Sequence, residues 1–435
     1  MTERLYYHDS FLKTFKAQVR DVRLHSQTAA QSVWQIALDR SAFYPTSGGQ
    51  PYDTGMLTAA SRSGTLLEVG VDAVEEDEQG EVWHTTLKPL LAGTEITGTI
   101  DWPRRLDHMQ QHSGQHLLSA VFAHELRAMT VSFHLGEEVS TIDLATETLA
   151  HHSLERVERI ANELIAEDRS VTVTQVSRAD AEAKLAAGIL RKLPPIEGTI
   201  RLIEIADYDL NACGGTHVHA TGQIGGLHLR SVERVRQGLR VEFVCGLRAV
   251  TSARQDYGAL SRTASALSVS RNQVPEAAER VLSEVKAAQK RSEKILEELA
   301  GYQAARLAVE EQIHRGIREV RRTFPDREAA YVKLLASRLA ASVPQTVALF
   351  AATQQEPAVI VLSRSSGMEF HCGDVLKAAL AESGLRGGGS ADLAQGQAPR
   401  SQADEILQRI STAIRGARLA DSEESFPNRG SAAKL

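Results

Sequence analysis

The chain has 435 residues, 42% of them hydrophobic and 24% charged, an ordinary globular composition that provides for about two to four domains with cores of their own. Its 49 lysines and arginines against 55 aspartates and glutamates leave a net charge of −6, so the total demands no polyanionic partner, although a local basic face stays open because binding depends on where charges sit. Cys213, Cys245 and Cys372 are too few and scattered for a disulfide framework, and no stretch approaches the about 20 apolar residues of a membrane span; the expectation is a soluble, cytoplasmic protein with no membrane partner.

In chain order, VWQIALD, LLEVGVDAVEE, GEVWHTTL and TEITGTIDW alternate or cluster β-formers between turn residues, which predicts a β-rich domain over 1–105. Pro103 then stands where a first helical turn tolerates it, and LDHMQQHSGQHLLSAVFAHEL reads as a helix with Leu117, Leu118, Val121 and Phe122 on its core side. Helices are expected at LERVERIANELIAEDR and ADAEAKLAAGIL, strands at VTVTQVS, TIRLIEIA and GLHLRSVERVRQGLRVEFVCG, making 106–255 an α+β domain.

From Pro275 the composition turns rich in Ala, Glu, Lys and Arg, and Val281, Val285, Ala288, Ile295, Leu299 and Tyr302 recur at spacings of four and three, broken at Ser292. This predicts a long amphipathic helix or coiled coil within 256–325, either packed on its own domain or forming a homodimer seam through 275–310. After TFPDR, an α/β unit is expected over 326–418, from the helical AAYVKLLASRLAAS and GDVLKAALAES, the buried strands VALFAA and AVIVLSR, a Gly-rich RGGGSADLAQGQAP and a last helix ADEILQRISTAIRGAR. The remainder, 419–435, has few apolar residues and is expected to be unstructured. The fold class expected is α+β, with no internal repeat.

His112 and His116 are spaced i, i+4 on a predicted helix, about 40° apart around its axis, so both imidazoles can reach one ion. CGGTH, Cys213 to His217, has two glycines that permit a tight turn bringing a thiolate and an imidazole together. Jointly these make a nitrogen and sulfur set suited to Zn²⁺, one per chain, with His219 a rival to His217 for the fourth position. The His-Glu-x-x-His of a zincin is absent: His124-Glu125 is followed by Leu126, Arg127 and Ala128. FYPTSGGQPYDTG, Phe43 to Gly55, reads as a substrate-cradling loop or as a hairpin turn.

FYPTSGGQPYDTG, RLDHMQQHSGQHLLSAVF, CGGTH and GQIGGLHLRSVERVRQGLRVEFVCG, in this order, resemble the editing domain of alanyl-tRNA synthetase and its free-standing relatives, and Gly387 to Gln397 resembles the C-terminal domain that the synthetase shares with DHH phosphodiesterases. A DHH metal centre is not expected, because Met109 follows Asp107-His108 and Ser390 stands where those enzymes carry histidine. The Gly-rich segment starts at Phe43, which leaves no room before it for an aminoacylation domain, so the resemblance implies a long-form protein that edits in trans.

What it implies is ATP-independent hydrolysis of the ester joining serine, and glycine as a second substrate, to the alanine tRNA. An alanine pocket cannot reject glycine by size, nor easily a small added hydroxyl, so a second hydrolytic site is needed. The resemblance assigns zinc to His112, His116, Cys213 and His217, catalysis to Thr46, His112 and Cys213, and substrate contacts to Thr46, Gly48, Gly49 and Gln50, with Thr46 reading the serine hydroxyl. The family's glutamine before a Gly-Ser pair is replaced by Ser132, Phe133 and His134, so its role does not carry over. Arg104, Arg105, Arg191, Lys192, Arg230, Arg234 and Arg236 are candidates for tRNA phosphates or solvated surface charges. Two other classes compete: a non-catalytic tRNA-binding protein stabilised by zinc, and a zinc hydrolase of free amino-acid derivatives.

Overall fold

The computed structural model describes residues 1–28, 31–60, 65–195, 198–236, 238–314 and 316–423. They form an α+β protein of two compact units, Met1–Thr263 and Ala264–Leu435.

In the first unit, β1 (Glu3–Arg4) pairs in parallel with β4 (Arg40–Ser41). The strands β2 (Thr14–Gln27), β3 (Ser32–Leu38), β5 (Gly55–Ala60), β6 (Leu66–Val71), β7 (Ala73–Glu76), β8 (Val82–Thr86) and β9 (Glu95–Ile100) form a seven-stranded antiparallel sheet in the order β6-β5-β9-β2-β3-β8-β7. Its core includes Phe15, Val19, Ile36, Leu38, Phe43, Leu57 and Ile100. β2 and β5 were not anticipated. Phe15, Ala17 and Val19 alternate inward, but the rest of β2 is largely exposed and polar, so periodicity is faint. Residues 43–55, the Gly-rich segment, connect β4 to β5.

The sheet hands the chain to α1 (Trp102–Leu126), whose first turn is capped by Asp101 accepting from the Arg104 amide, with Pro103 at a position that needs no amide. α1 is buried around much of its circumference, down to Gly114, where the nearest contact of an added Cβ would be Cys245 Sγ at 2.3 Å. Around it lie β10 (Thr130–Leu135), β11 (Ser140–Leu144), α2 (His151–Ala166), β12 (Val171–Ser177), α3 (Arg178–Ala186), β13 (Thr199–Ile205), β14 (Asp209–Ala212), β15 (Leu227–Val235) and β16 (Gly238–Cys245). These strands make two antiparallel sheets, β10-β11-β16-β15 and β12-β13-β14. Leu117, Leu118, Val121 and Phe122 of α1 join Val157, Ile203, Val241 and Phe243 in one apolar core. Burying each such side chain contributes on the order of 1.5–3 kcal/mol, which fixes the rotation of α1 and therefore where its histidines face.

α4 (Gly246–Ala266) follows. In the second unit α5 (Val274–Glu310) is one continuous helix. Ala300, Ala304, Leu307 and Ala308 bury against α6 (Ala329–Ser342), while Val281, Val285, Ile295 and Tyr302 are exposed. β17 (Arg318–Phe324), β18 (Thr346–Ala352), β19 (Ala358–Arg364), β20 (Gly387–Gly389) and β21 (Leu393–Ala398) form a mixed sheet in the order β17-β18-β19-β21-β20, accompanied by α7 (Cys372–Ala381) and α8 (Ala403–Glu423). α8 runs into the segment expected to be unstructured from 419. Leu419 and Ala420 are good helix formers and the first breaker is Pro427; residues 424–435 lie outside the described residues. Among the described residues no helix is long and apolar enough to cross a membrane.

Candidate metal centre

The i, i+4 spacing on α1 places His112 and His116 on one face, their rings stacked with centroids 5.1 Å apart. The opposite wall is the turn after β14. Arg201 on β13 holds that turn through Nη1, which donates to the carbonyls of Cys213 at 2.8 Å and Gly215 at 2.9 Å. Gly215 has no side chain where one would strike His112, its Cβ falling 2.2 Å from Cε1. The turn therefore closes tightly enough to bring Cys213 Sγ within 3.4 Å of His112 Nε2 and 3.3 Å of His217 Nε2.

One donor atom from each of His112, His116, Cys213 and His217 lies within 4.8 Å of the others, a group that can hold a metal ion. The fit is testable on the spacing. A tetrahedral zinc with Zn–S about 2.3 Å and Zn–N about 2.0–2.1 Å sets sulfur and nitrogen roughly 3.5 Å apart, which the two observed S···N separations match. His116 Nε2 is buried and has no protein hydrogen-bond partner, as a nitrogen reserved for a ligand would be.

Two of the other ring nitrogens have partners: His112 Nδ1 lies 2.8 Å from Gln50 Oε1, and His217 Nδ1 lies 3.3 Å from Ser113 Oγ. Burial lowers the pKa of His112 and His217 and brings His116 down to about 4, so the imidazoles are neutral donors near neutral pH. Burial raises that of the Cys213 thiol, opposed by the Gly215 amide, which donates to Sγ at 3.4 Å, and by the positive charge of Arg201.

Beside the group lies a cleft of about 640 Å³, lined among others by Gly48, Gly49, Gln115, His116, Ser119, Phe133, Arg191 and Lys192. Gly48 and Gly49 adopt φ of +55° and +83°, a left-handed backbone that favours glycine. At Gly49 an added Cβ would also press on Phe133 at 2.8 Å.

The expected site residues divide. His217 joins the donor group, whereas His219 is exposed and stacks on Phe11 at 4.1 Å. Gly48 and Gly49 line the cleft, but Gln50, expected against substrate, is fully buried behind His112. Thr46 is exposed, is absent from the cleft lining, and donates its amide to the Val74 carbonyl at 3.1 Å. Arg105 cannot meet phosphate as the sequence reading allowed, because it is fully buried in an ion pair with Asp53. Arg191 lines the cleft paired with Asp209, and Lys192 lines it exposed. Arg230 pairs with Asp256 on the surface, Arg104 lies over Tyr52, and Arg234 and Arg236 border a separate groove beside Glu147.

Sequence reading missed Arg201 and Gln115. No local motif marks an arginine whose partners are carbonyls in a later turn. Gln115 lines the cleft at 5% exposure, its Nε2 donating to Ser119 Oγ at 2.9 Å and its Oε1 without a protein partner. The i, i+4 placement of Gln115 and Ser119 was the only available hint.

Comparison with known proteins bears on this arrangement. Residues 200–241 match the family described as the threonyl and alanyl tRNA synthetase second additional domain, residues 1–104 the class II (A) tRNA synthetases, and residues 322–416 the DHHA1 domain. The chain is 36% identical over 246 residues to an alanyl-tRNA editing protein AlaX-M from Methanosarcina mazei, covering 54% of this chain and 92% of that one. It is 35% identical over 308 residues to the alanine–tRNA ligase of Pyrococcus abyssi, covering 69% of this chain, and 31% identical over 422 residues to that of Halorubrum lacusprofundi, covering 95%. It spans 32% and 44% of the lengths of these two ligases. With nearly the whole of an editing protein matched and the donor group assembled at the junction of its motifs, the chain belongs to the alanyl-tRNA editing protein family.

Proposed function

We propose that this protein hydrolyses the ester of alanine tRNA charged with serine, and of the glycyl form as a second substrate, with the 3′ aminoacyl end in the 640 Å³ cleft and one zinc ion held by His112, His116, Cys213 and His217. The observation that carries the reading is the adjacency of cleft and donor group: His116 belongs to both. Zinc in such a donor set supplies Lewis acidity toward an ester carbonyl, or holds the fold if all four protein donors stay bound.

The chain's own residues do the rest. Gly48 and Gly49 let backbone approach the bound group closely, and Arg191 and Lys192 put positive charge where the terminal phosphates would lie. Gln115 Oε1, buried without a partner, suits an N–H or O–H donor of the aminoacyl group. Thr46 stands outside the cleft lining, two residues before Gly48, so its reading of the serine hydroxyl rests on the family resemblance alone. His112 and Cys213 act through the donor set. The exposed stripe Val281, Val285 and Ile295 on α5 supports a homodimer seam.

The test is release of amino acid from purified Ser-, Gly- and Ala-charged alanine tRNA, with bound zinc measured in the wild type and in folded Cys213→Ala. Loss of serine or glycine with alanine spared, abolished in the variant, is expected. Survival of all three esters while the tRNA still binds would make the protein a zinc-stabilised binding module; cleavage of free amino-acid esters without tRNA would make it a general zinc hydrolase.

A further inference from the structure

We propose that Gln50 is a positioning residue for the zinc site, fixing the tautomer of His112 so that Nε2 presents its lone pair to the metal. A backbone N–H can only donate, and that of Thr216 points at Gln50 Oε1 from 3.0 Å. The end of the Gln50 amide facing it must therefore be the oxygen. The other end, Nε2, then donates to Thr216 Oγ1 at 2.8 Å, a hydroxyl that accepts in this orientation.

An oxygen so oriented has one remaining lone pair, and His112 Nδ1 lies on it at 2.8 Å. Nδ1 must carry the proton. In a neutral imidazole Nε2 is then bare, and it is Nε2 that faces Cys213 Sγ at 3.4 Å. Gln50 is 0% exposed, so water cannot substitute for it. One side chain thus ties the Gly-rich segment, α1 and the CGGTH turn to a single ring orientation, the arrangement by which groups behind a ligand raise metal affinity.

The inference rests on reading the four donors as a zinc site and not on any ester chemistry, so its readouts are metal and proton positions. In zinc-loaded, ¹⁵N-labelled protein, long-range ¹H–¹⁵N spectra are expected to show His112 protonated at Nδ1 with Nε2 bearing no proton. Gln50→Leu is expected to weaken zinc binding about 10–100-fold in competition with a chromophoric chelator. Gln50→Glu keeps the acceptor, and the Thr216 hydroxyl can turn to donate to it, so its affinity should stay within a few-fold of wild type. A proton on Nε2, a folded Gln50→Leu with wild-type affinity, or a Gln50→Glu as weak as Gln50→Leu would each overturn the proposal. Should Gln50→Leu fail to fold, the wild-type spectrum and the Gln50→Glu affinity decide. Loss of ester cleavage with zinc affinity intact would count against the proposed function and leave this inference standing.

Discussion

Arg105 and Asp53 face each other in the interior, Arg105 Nε lying 3.1 and 3.0 Å from the two carboxylate oxygens, with both side chains fully shielded. The pair is completed by the Ser10 carbonyl at 2.8 Å and the Tyr44 amide at 2.6 Å. Removing one partner strands a buried charge. Asp53→Ala is therefore expected to cost about 3–5 kcal/mol, read as a lower denaturant midpoint, with the largest effect on the first unit. A loss below about 1 kcal/mol would mean that the site admits water.

The donor group makes a sharp distinction between two neighbouring histidines. His217→Ala is expected to lose the bound zinc, because its Nε2 lies 3.3 Å from Cys213 Sγ, whereas His219→Ala should retain it, since that ring stacks on Phe11. Metal content by atomic emission after dialysis checks both. The reverse pattern would move the fourth donor to His219.

Gly215→Ala should act like a ligand deletion without touching a ligand. Its Cβ would fall 2.2 Å from His112 Cε1 and 2.9 Å from Gln50 Oε1, so the turn or the ring must move. Zinc affinity is expected to drop by at least an order of magnitude, measured by chelator competition. Gly48→Ala meets nothing within 4 Å and should cost only the about 1 kcal/mol of a left-handed alanine, leaving affinity unchanged.

His84 gives the stability of the first unit a pH dependence independent of metal. It is enclosed, accepting from Ser41 Oγ at 2.7 Å and donating to the Ile36 carbonyl at 2.9 Å, and burial brings its pKa down from 6.5 to about 4. A folded-state pKa below the unfolded one means that the unfolded chain binds the proton more readily. The neutral ring's contribution is full above about pH 6.5 and is lost as pH falls toward about 4, to a total on the order of 3 kcal/mol. Unfolding free energies measured across that range should be flatter for His84→Gln than for the wild type.

Gln115 tests the cleft. Its Oε1 is buried and unpartnered, so Gln115→Leu should change stability little or raise it slightly, by up to about 1 kcal/mol, while lowering kcat/KM for the seryl ester. An equal fall for the glycyl ester would place the ammonium group on Gln115; a fall confined to the seryl ester would place the hydroxyl there. Unchanged kinetics for both would remove Gln115 from the substrate's contacts.

Much of this was legible where a local period or spacing carries the information. α6 appears over the residues that its apolar rhythm marks, Ala329–Ser342, and the hairpin of β15 and β16 follows the alternation in GLHLRSVERVRQGLRVEFVCG. The histidine spacing on α1 and the paired glycines of CGGTH pointed to the residues that meet. Long-range partners were illegible. Gln50 and His112 are 62 residues apart, Gln50 and Thr216 are 166 apart, and nothing near Gln50 distinguishes a substrate contact from a hydrogen bond to a ligand. Arg105 looked like a surface cation because composition does not report that Asp53 lies opposite. β2 escaped notice because its outer half has no apolar face to announce it.

Arg105, His108, His112 and His116 follow one another along α1 at intervals of three, four and four. The helix is in effect a ruler with its zero mark pinned by the ion pair and its ligands graduated farther along. Inserting one residue between Arg105 and His112 would turn the ligands by about 100° and slide them by about 1.5 Å relative to the pin. The length of this stretch is thus as much a part of the metal site as the identity of its histidines, and the helix tolerates a change of letter at many points where it would not tolerate a change of count.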